Sequence, residues 1–451
     1  MKTIGLDLGT TTICGVLIDG QTGVLLRSRT LENDAAIAAS EPWARCQDPR
    51  RILELCRSIV VEFTAEYPDV GGIGISNQMH GVVYLNDAGE PLSPLYTWQD
   101  ERGNRSHPQG GTYAQALTEL TGYPMSTGYG LTTHFYNLQN NLVPQGARWL
   151  CTIGDYATMA LCGAVSPRMH ASNAASFGLF HREAGTFDAA ALSKAGIDSA
   201  LLPQVCTDAA AAGSYGNIPV SVALGDNQAS FFGTVREADS LSVSVGTSGQ
   251  VSMLASALPP NSGAELRPFV GDSHIAVGCS LCAGDAYAAL RRFYAETAKL
   301  LGGSTENLYE KMNHAAAQQY GQEQGLAVCT QFRGTRQNPA LRGSVTGITP
   351  DNLTPGHLTL GVLQGICREL YEQFLAMEPA AAPRRLIASG NGLRKNPLLR
   401  RIFQDTFGLP LEVPLYEEEA AYGAALLSLY VSGAVPSPEA ARQLITYADS
   451  Q

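Results

Sequence analysis

Two short stretches combine glycine with hydroxyl side chains in a way that suits an anion. Asp7-x-Gly9-Thr10-Thr11-Thr12 and Gly246-Thr247-Ser248-Gly249 each interrupt β-rich sequence. A tight hairpin of this kind presents backbone N–H groups and hydroxyls to phosphate oxygens, and glycine lets the chain approach closely. Asp7 adds a carboxylate suited to orienting water on magnesium. A second carboxylate, Asp226, follows the apolar run Val220–Leu224. There it would either cap the next helix or act as a base at a cleft. Each stretch alone reads as an ordinary β-turn as readily as a phosphate cradle. Together, about half the chain apart, they argue for two halves built alike.

Other residues suit a small polar substrate. His80 follows the apolar strand Gly72–Ser76, beside Gln78 and before Gly81. It is either a satisfied core histidine or a ligand for hydroxyls at a cleft edge. Trp98 offers an apolar face to a sugar or anchors a loop, and Asp100 either accepts hydroxyl hydrogen bonds or pairs with Arg102. Glu417-Glu418-Glu419 suits a helix N-terminus better than a metal site. GxxxxGK[ST], GxGxxG after a strand, HExxH and GxSxG are all missing, which excludes the Walker-type phosphate loop, leaves no dinucleotide fingerprint and weakens the metalloprotease and hydrolase readings.

The elements that would position these residues alternate between strand and helix. Thr3–Leu8, Thr12–Asp19 and Val24–Thr30 are β-rich. Asp48-Pro49 caps a helix expected to run to about Tyr67. The strand pattern restarts at Val220–Leu224, Leu241–Val245 and Gln250–Leu254, and Leu358–Leu375 carries a one-sided apolar stripe at helical spacing. Such alternation predicts an α/β architecture.

The chain has 451 residues, 45% hydrophobic and 16% charged, and a formal charge of −11. That length suggests two to four domains. An acidic chain without a Lys/Arg cluster argues against nucleic acid and anionic membranes as partners. The ten cysteines are scattered in apolar surroundings, and Cys279 and Cys282 read as core rather than as a zinc or redox pair. Asp7 interrupts any apolar leader, and no stretch approaches a spanning helix, so a cytoplasmic location is expected.

The Asp7-x-Gly9-Thr10-Thr11 opening resembles the first phosphate segment of the actin-like ATPase superfamily. Gly74-Ile75-Ser76-Asn77-Gln78-Met79-His80-Gly81 is similar to the sugar segment of pentulose and heptulose kinases in the FGGY carbohydrate kinase family. Trp98-Gln99-Asp100-Glu101-Arg102 resembles that family's Trp-x-Asp-x-Arg loop, and Leu224-Gly225-Asp226-Asn227-Gln228-Ala229 its catalytic-aspartate segment. Ala388-Ser389-Gly390-Asn391-Gly392 followed by Asn396 resembles its adenosine loop. Glu419–Ala425 resembles its C-terminal helix that closes over the nucleotide. Ser172–Gly178 and Gly343–Ile348 look like the sedoheptulokinase subfamily, while Gln78–Gly81 is shared with xylulokinases.

The resemblance implies an α/β fold of two actin-like (ribonuclease H-like) domains with a cleft between them. The N-terminal domain would span 1–235 and the C-terminal domain 236–451. It implies an ATP-dependent kinase acting on the terminal hydroxyl of a ketose, sedoheptulose first. A pentulose such as xylulose or ribulose is the alternative, and an actin-like ATPase without sugar chemistry a further one. Asp226 would be the catalytic base. Gln78, Met79, His80, Trp98, Asp100 and Asp226 would bind the ketose. Gly9, Thr10, Thr11, Thr12, Gly246, Thr247, Ser248, Gly284, Gly390, Asn391 and Asn396 would bind ATP, and Asp7 and Asp226 would hold Mg2+. Asn391 stands where the family has a small residue. Members of the family are often homodimers.

Overall fold

The computed structural model describes residues 1–39, 41–260, 262–322, 325–335, 338 and 340–448. They form two compact units. The first comprises Met1–Arg236, Arg267–Ser273 and Glu418–Ile445, and the second comprises Glu237–Leu266, His274–Glu417 and the chain from Thr446.

In the first unit, strand Lys2–Leu8 runs antiparallel to Thr12–Asp19 and parallel to Val70–Asn77. These strands bury Ile4, Leu6, Leu8, Ile13, Leu17, Ile73 and Ile75, as near-continuous apolar runs require of a sheet covered on both faces. Leu25–Glu32 forms an edge and is mostly exposed. The helix Pro49–Glu66 starts where Asp48 accepts from the Arg50 amide with Pro49 at the first position, and it buries Ile52, Cys56, Ile59, Val60 and Phe63.

The strand expected at Val220–Leu224 is split. Ile218–Ser221 and Leu224–Gly225 both pair with Val70–Asn77, and between them the Val222 amide turns to the Ala210 carbonyl. Gly225 ends up opposite Asn77. The segments carrying Gln78–His80 and Asp226 therefore leave the sheet side by side.

The second unit repeats the arrangement. Ser240–Val245 runs antiparallel to Gly249–Leu254 and parallel to Arg385–Ser389 in a six-stranded sheet. The helix Pro355–Ala376 begins before its apolar stripe because Thr354 caps it through the His357 amide with Pro355 at the first turn. All ten cysteines are free. Among the described residues, no helix is long and apolar enough to cross a membrane.

The helix Glu419–Val431 corrects the sequence expectation. It does not close over a nucleotide. It is buried on almost every side, from Ala421 to Leu429, and it lies on the first unit's sheet. Its backbone comes so close that a Cβ at Gly5 would sit 1.9 Å from the Ala421 carbonyl oxygen, and one at Gly74 1.9 Å from that of Ala424. Gly423 in turn admits the helix Asp226–Thr234, whose Ala229 oxygen would lie 1.9 Å from an added Cβ. A helix apolar all round must be buried, and a lid would need a polar face.

Candidate active site

The first hairpin holds its carbonyls from behind. Asn33 Nδ2 donates to the Gly9 oxygen at 2.9 Å, Gln47 Nε2 to the Thr10 oxygen at 2.8 Å, and the Asn33 amide to the Thr11 oxygen at 2.9 Å. In a trans peptide, the carbonyl of one residue and the N–H of the next point in opposite directions. Each grip on a carbonyl therefore aims the following amide outward. Among the described residues, nothing accepts from the Thr10 or Thr11 amide. The cradle presents N–H groups and the exposed Thr11 and Thr12 hydroxyls, the chemistry an anion needs.

Asp7 and Asp226 belong to the same unit. Asp7 lies one residue before the end of the strand Lys2–Leu8 and accepts from Ser76 Oγ at 2.8 Å. Burial pushes its carboxyl up to about 6, and Glu418 adds to the rise. Asp226 opens the helix Asp226–Thr234, with Gly225 rather than Asp226 at the cap position. Its carboxylate accepts from the Asn227 amide at 2.7 Å. Burial and then the charge of Asp7 push it up to about 7, against the opposing pull of Asn227 and Arg267. Gly225 lets Met79 pack close here, since a Cβ would come 2.7 Å from Met79 Sδ and that side chain would have to shift.

One short helix, Ala171–Phe177, grips both segments. Ser172 Oγ accepts from the Gly225 amide at 3.1 Å. Asn173 Nδ2 donates to Asn77 Oδ1 and to the Ala223 oxygen, each at 3.1 Å. Ser176 Oγ accepts from the His80 amide at 3.1 Å, and its carbonyl oxygen lies 2.7 Å from His80 Nδ1. A carbonyl only accepts, so Nδ1 carries the hydrogen, and in the neutral ring Nε2 is the acceptor. The ring stacks on Tyr129 with centroids 4.8 Å apart, and the backbone of His80 sits at φ 72. A non-glycine residue in this region is strained, which fits a functional position better than a core one.

The other residues expected at the sugar separate into two groups. Met79 is buried against Gly225, and Trp98 is 46% exposed with its indole N–H donated to Thr10 Oγ1 at 2.9 Å. Gln78 and Asp100 depart from the expectation. Gln78 is 2% exposed, and both ends of its amide are used, by Thr10 and by Gln47. Asp100 is fully buried and accepts from the Arg45 amide, the Arg102 amide and the Arg102 guanidinium, which itself lies over the Tyr96 ring. Its oxygens are spent on holding the loop, so of the two readings the ion pair is the one present.

In the second unit, Gly284 N–H donates to the Gly246 oxygen at 2.9 Å, and the amides of Ala283 and Asp285 both donate to the Thr247 oxygen at 3.1 Å. These grips aim the Thr247 and Ser248 amides outward, and among the described residues nothing accepts from them. Gly284 allows the contact, since a Cβ would lie 2.3 Å from the Gly246 oxygen. Beside this hairpin is a pocket of about 590 Å³ lined by Gly246, Thr247, Gly284, Asn391, Gly392 and Asn396, with Tyr287, Tyr309, Leu363 and Ile366 as apolar surface. Gly390 supports it at φ +77, where a Cβ would approach the Val245 oxygen to 2.7 Å. Asn396 Oδ1 caps the helix Pro397–Phe407 through the Leu399 amide, while its Nδ2 donates to Asn313 Oδ1 at 2.9 Å. Tyr287, stacked on Tyr309, donates to the same oxygen at 2.5 Å. Asn391 is exposed at the pocket edge, where its side chain fits without displacing the apolar lining.

The sequence reading missed Asn33 and Gln47 in the first unit and Tyr287, Tyr309 and Asn313 in the second, and it gave Ser172 and Ser176 no role beyond the resemblance of Ser172–Gly178. None belongs to a motif with chemistry of its own. Only the fold brings them to the glycine-rich segments.

The chain matches the N-terminal domain of the FGGY family of carbohydrate kinases over residues 2–233 and the C-terminal domain of that family over residues 241–432. It belongs to this family and is a sugar kinase, so an actin-like ATPase without sugar chemistry is set aside. It is similar to the sedoheptulokinases of Mus musculus and Homo sapiens, 29% identical to each over 95% of this chain and 97% of the relative. A xylulose kinase of Staphylococcus epidermidis is 26% identical over 95% of this chain and 88% of its own. Among solved structures, the xylulose kinase from Rhodospirillum rubrum superposes with a TM-score of 0.85 at 19% identity, covering 100% of this chain and 93% of that one. The fold is thus α/β with two actin-like domains.

Proposed function

We propose that this kinase transfers the terminal phosphoryl group of ATP to the terminal hydroxyl of a ketose, with sedoheptulose the first acceptor and sedoheptulose 7-phosphate the product. The observation that carries the reading is Asp226. It is a partly buried carboxylate raised to about 7, next in the fold to the Met79–His80 segment. The similarity to sedoheptulokinases along nearly the full length favours a heptulose, and the weaker similarity to xylulose kinases keeps a pentulose as the alternative.

In the first unit, His80 Nε2 accepts a ketose hydroxyl, with the ring held in place by Ser176 and Tyr129, and Trp98 offers its face to the carbon chain. Asp226 orients the attacking hydroxyl and takes its proton. A raised carboxyl matches the working pH better than an ordinary one. Transfer is loose, so positioning contributes more than basicity. The outward amides of Thr10 and Thr11 stabilise charge on phosphoryl oxygens. In the second unit, the pocket receives the nucleoside and the Gly246 hairpin the phosphates next to it.

Magnesium fits the residues present. Asp7 and Asp226 repel each other, and a cation would relieve both. Among the described residues, no group of three His, Cys, Asp or Glu could hold a metal, so most ligands would be phosphate and water oxygens, as magnesium prefers. When bound, it would neutralise charge on the phosphates.

The test is ADP release measured over sedoheptulose, xylulose, ribulose, glycerol and gluconate. Sedoheptulose is expected to give the highest kcat/KM, by about tenfold or more, a difference one binding contact can produce. A pentulose ahead of it would overturn the heptulose assignment.

A further inference from the structure

Nothing in the sequence marks Gln47. It sits in the two-residue strand Cys46–Gln47, 5% exposed, and its side chain closes a ring of hydrogen bonds. Trp98 Nε1 donates to Thr10 Oγ1 at 2.9 Å, and Thr10 Oγ1 donates to Gln78 Oε1 at 3.2 Å. Gln78 Nε2 donates to Gln47 Oε1 at 3.0 Å, and Gln47 Nε2 returns to the Thr10 carbonyl at 2.8 Å. Both ends fix the direction. An indole N–H only donates and a backbone carbonyl only accepts, so neither glutamine can flip without breaking a bond. Gln47 and Gln78 are buried, so water cannot replace a lost partner cheaply. The exposed end of the ring is Trp98. Its other end sets the Thr10 carbonyl and, through the peptide plane, the aim of the Thr11 amide.

We infer that Gln47 is a positioning residue that couples ketose at Trp98 to the aim of the Thr11 amide in the phosphate hairpin. The acceptor then tightens the grip on the nucleotide phosphates before transfer. The inference rests on the kinase reading above. It adds that phosphate binding in this unit depends on acceptor binding through a chain of four side chains.

The experiment measures binding of the β,γ-imido analogue of ATP, and of adenosine, with and without ketose. It is run on the wild type and on Gln47→Glu, which keeps the shape but cannot donate to the Thr10 carbonyl. In the wild type, ketose is expected to tighten analogue binding about fivefold or more, within the usual range of coupling between sites. In Gln47→Glu the ratio should fall to one, kcat about tenfold or more, and ketose KM less than about threefold, while adenosine binding is unchanged. Trp98→Phe removes only the indole donor at an exposed position. It should lower the ratio part way with unchanged thermal unfolding, which covers the case in which Gln47→Glu fails to fold. With a ketose that the wild type phosphorylates, a wild-type ratio of one, or a Gln47→Glu ratio equal to wild type, overturns the inference. Failure of the substrate reading shows separately, as a wild type that phosphorylates none of the ketoses while Gln47→Glu still weakens analogue against adenosine binding.

Discussion

In the first unit the Gly9 hairpin is gripped by two side-chain amides, Asn33 and Gln47, together with the main chain of Asn33. In the second unit, among the described residues, the Gly246 hairpin is gripped by main-chain N–H groups of Ala283, Gly284 and Asp285 at the start of the helix Gly284–Leu300. The outward amides are the same in both, but the means of holding them differ. A helix start is a fixed object with its N–H groups already lined up. A side-chain amide can be linked to something else, and Gln47 is. The acidic pair also belongs to one hairpin only, since Asp7 leads into the Gly9 turn. On the function proposed above, the first unit is the one equipped to respond to the acceptor, and the second to receive the nucleotide in a preset cradle.

Three substitutions probe this contrast. Asp226→Asn should have the largest effect, lowering kcat by roughly a thousandfold, the middle of the range for loss of a general base, while calorimetry still shows ketose binding. The wild-type kcat/KM should fall as pH drops through about 7, because the raised carboxyl takes up a proton and loses its acceptor role. That limb should be missing from the residual activity of Asp226→Asn. Near-normal turnover in the variant would remove the asymmetry. Gly284→Ala comes next. Its Cβ would meet the Gly246 oxygen at 2.3 Å, and no side chain can move to make room for it. About a hundredfold loss in kcat/KM for ATP is expected, with retained adenosine binding checked by titration. Asn33→Ala should cost least, about tenfold in kcat and about 1 kcal/mol in thermal unfolding, since Gln47 and the Asn33 main chain still hold the turn. An effect equal to that of Gly284→Ala would mean that the two hairpins are equally rigid.

Much of this was legible in the sequence for a physical reason. A glycine-hydroxyl stretch between β-rich runs is ambiguous alone, but two of them half a chain apart stood out as hairpins, and Asp226 stood out as a carboxylate at the end of an apolar run. The helix start at Asp48-Pro49 followed local capping rules, whereas the cap at Thr354 lay outside the apolar stripe from which the helix Pro355–Ala376 was read. What was not legible depends on distance along the chain. Asp100 carries the same residue type whether it faces a sugar or Arg102, and only burial decides. Gln78 looks like a sugar ligand until Gln47, 31 residues away, takes its amide. The supporting helix Ala171–Phe177 carries ordinary Ser and Asn residues whose partners, Gly225 and His80, lie far off in sequence.

The helix Glu419–Val431 has a consequence for how the protein is made. It lies on the strands Lys2–Leu8 and Val70–Asn77, yet in the chain it follows nearly all of the second unit. Without it, Gly5 and Gly74 face no partner, and the first unit's sheet lacks the cover on that face that its central strands require. The second unit, encoded between them, has its own core and can form while the first waits. Synthesis order and folding order are therefore opposed. The unit met first along the chain is completed only after most of the other has been made, and the sheet that carries its carboxylate pair and phosphate hairpin lacks that cover until then.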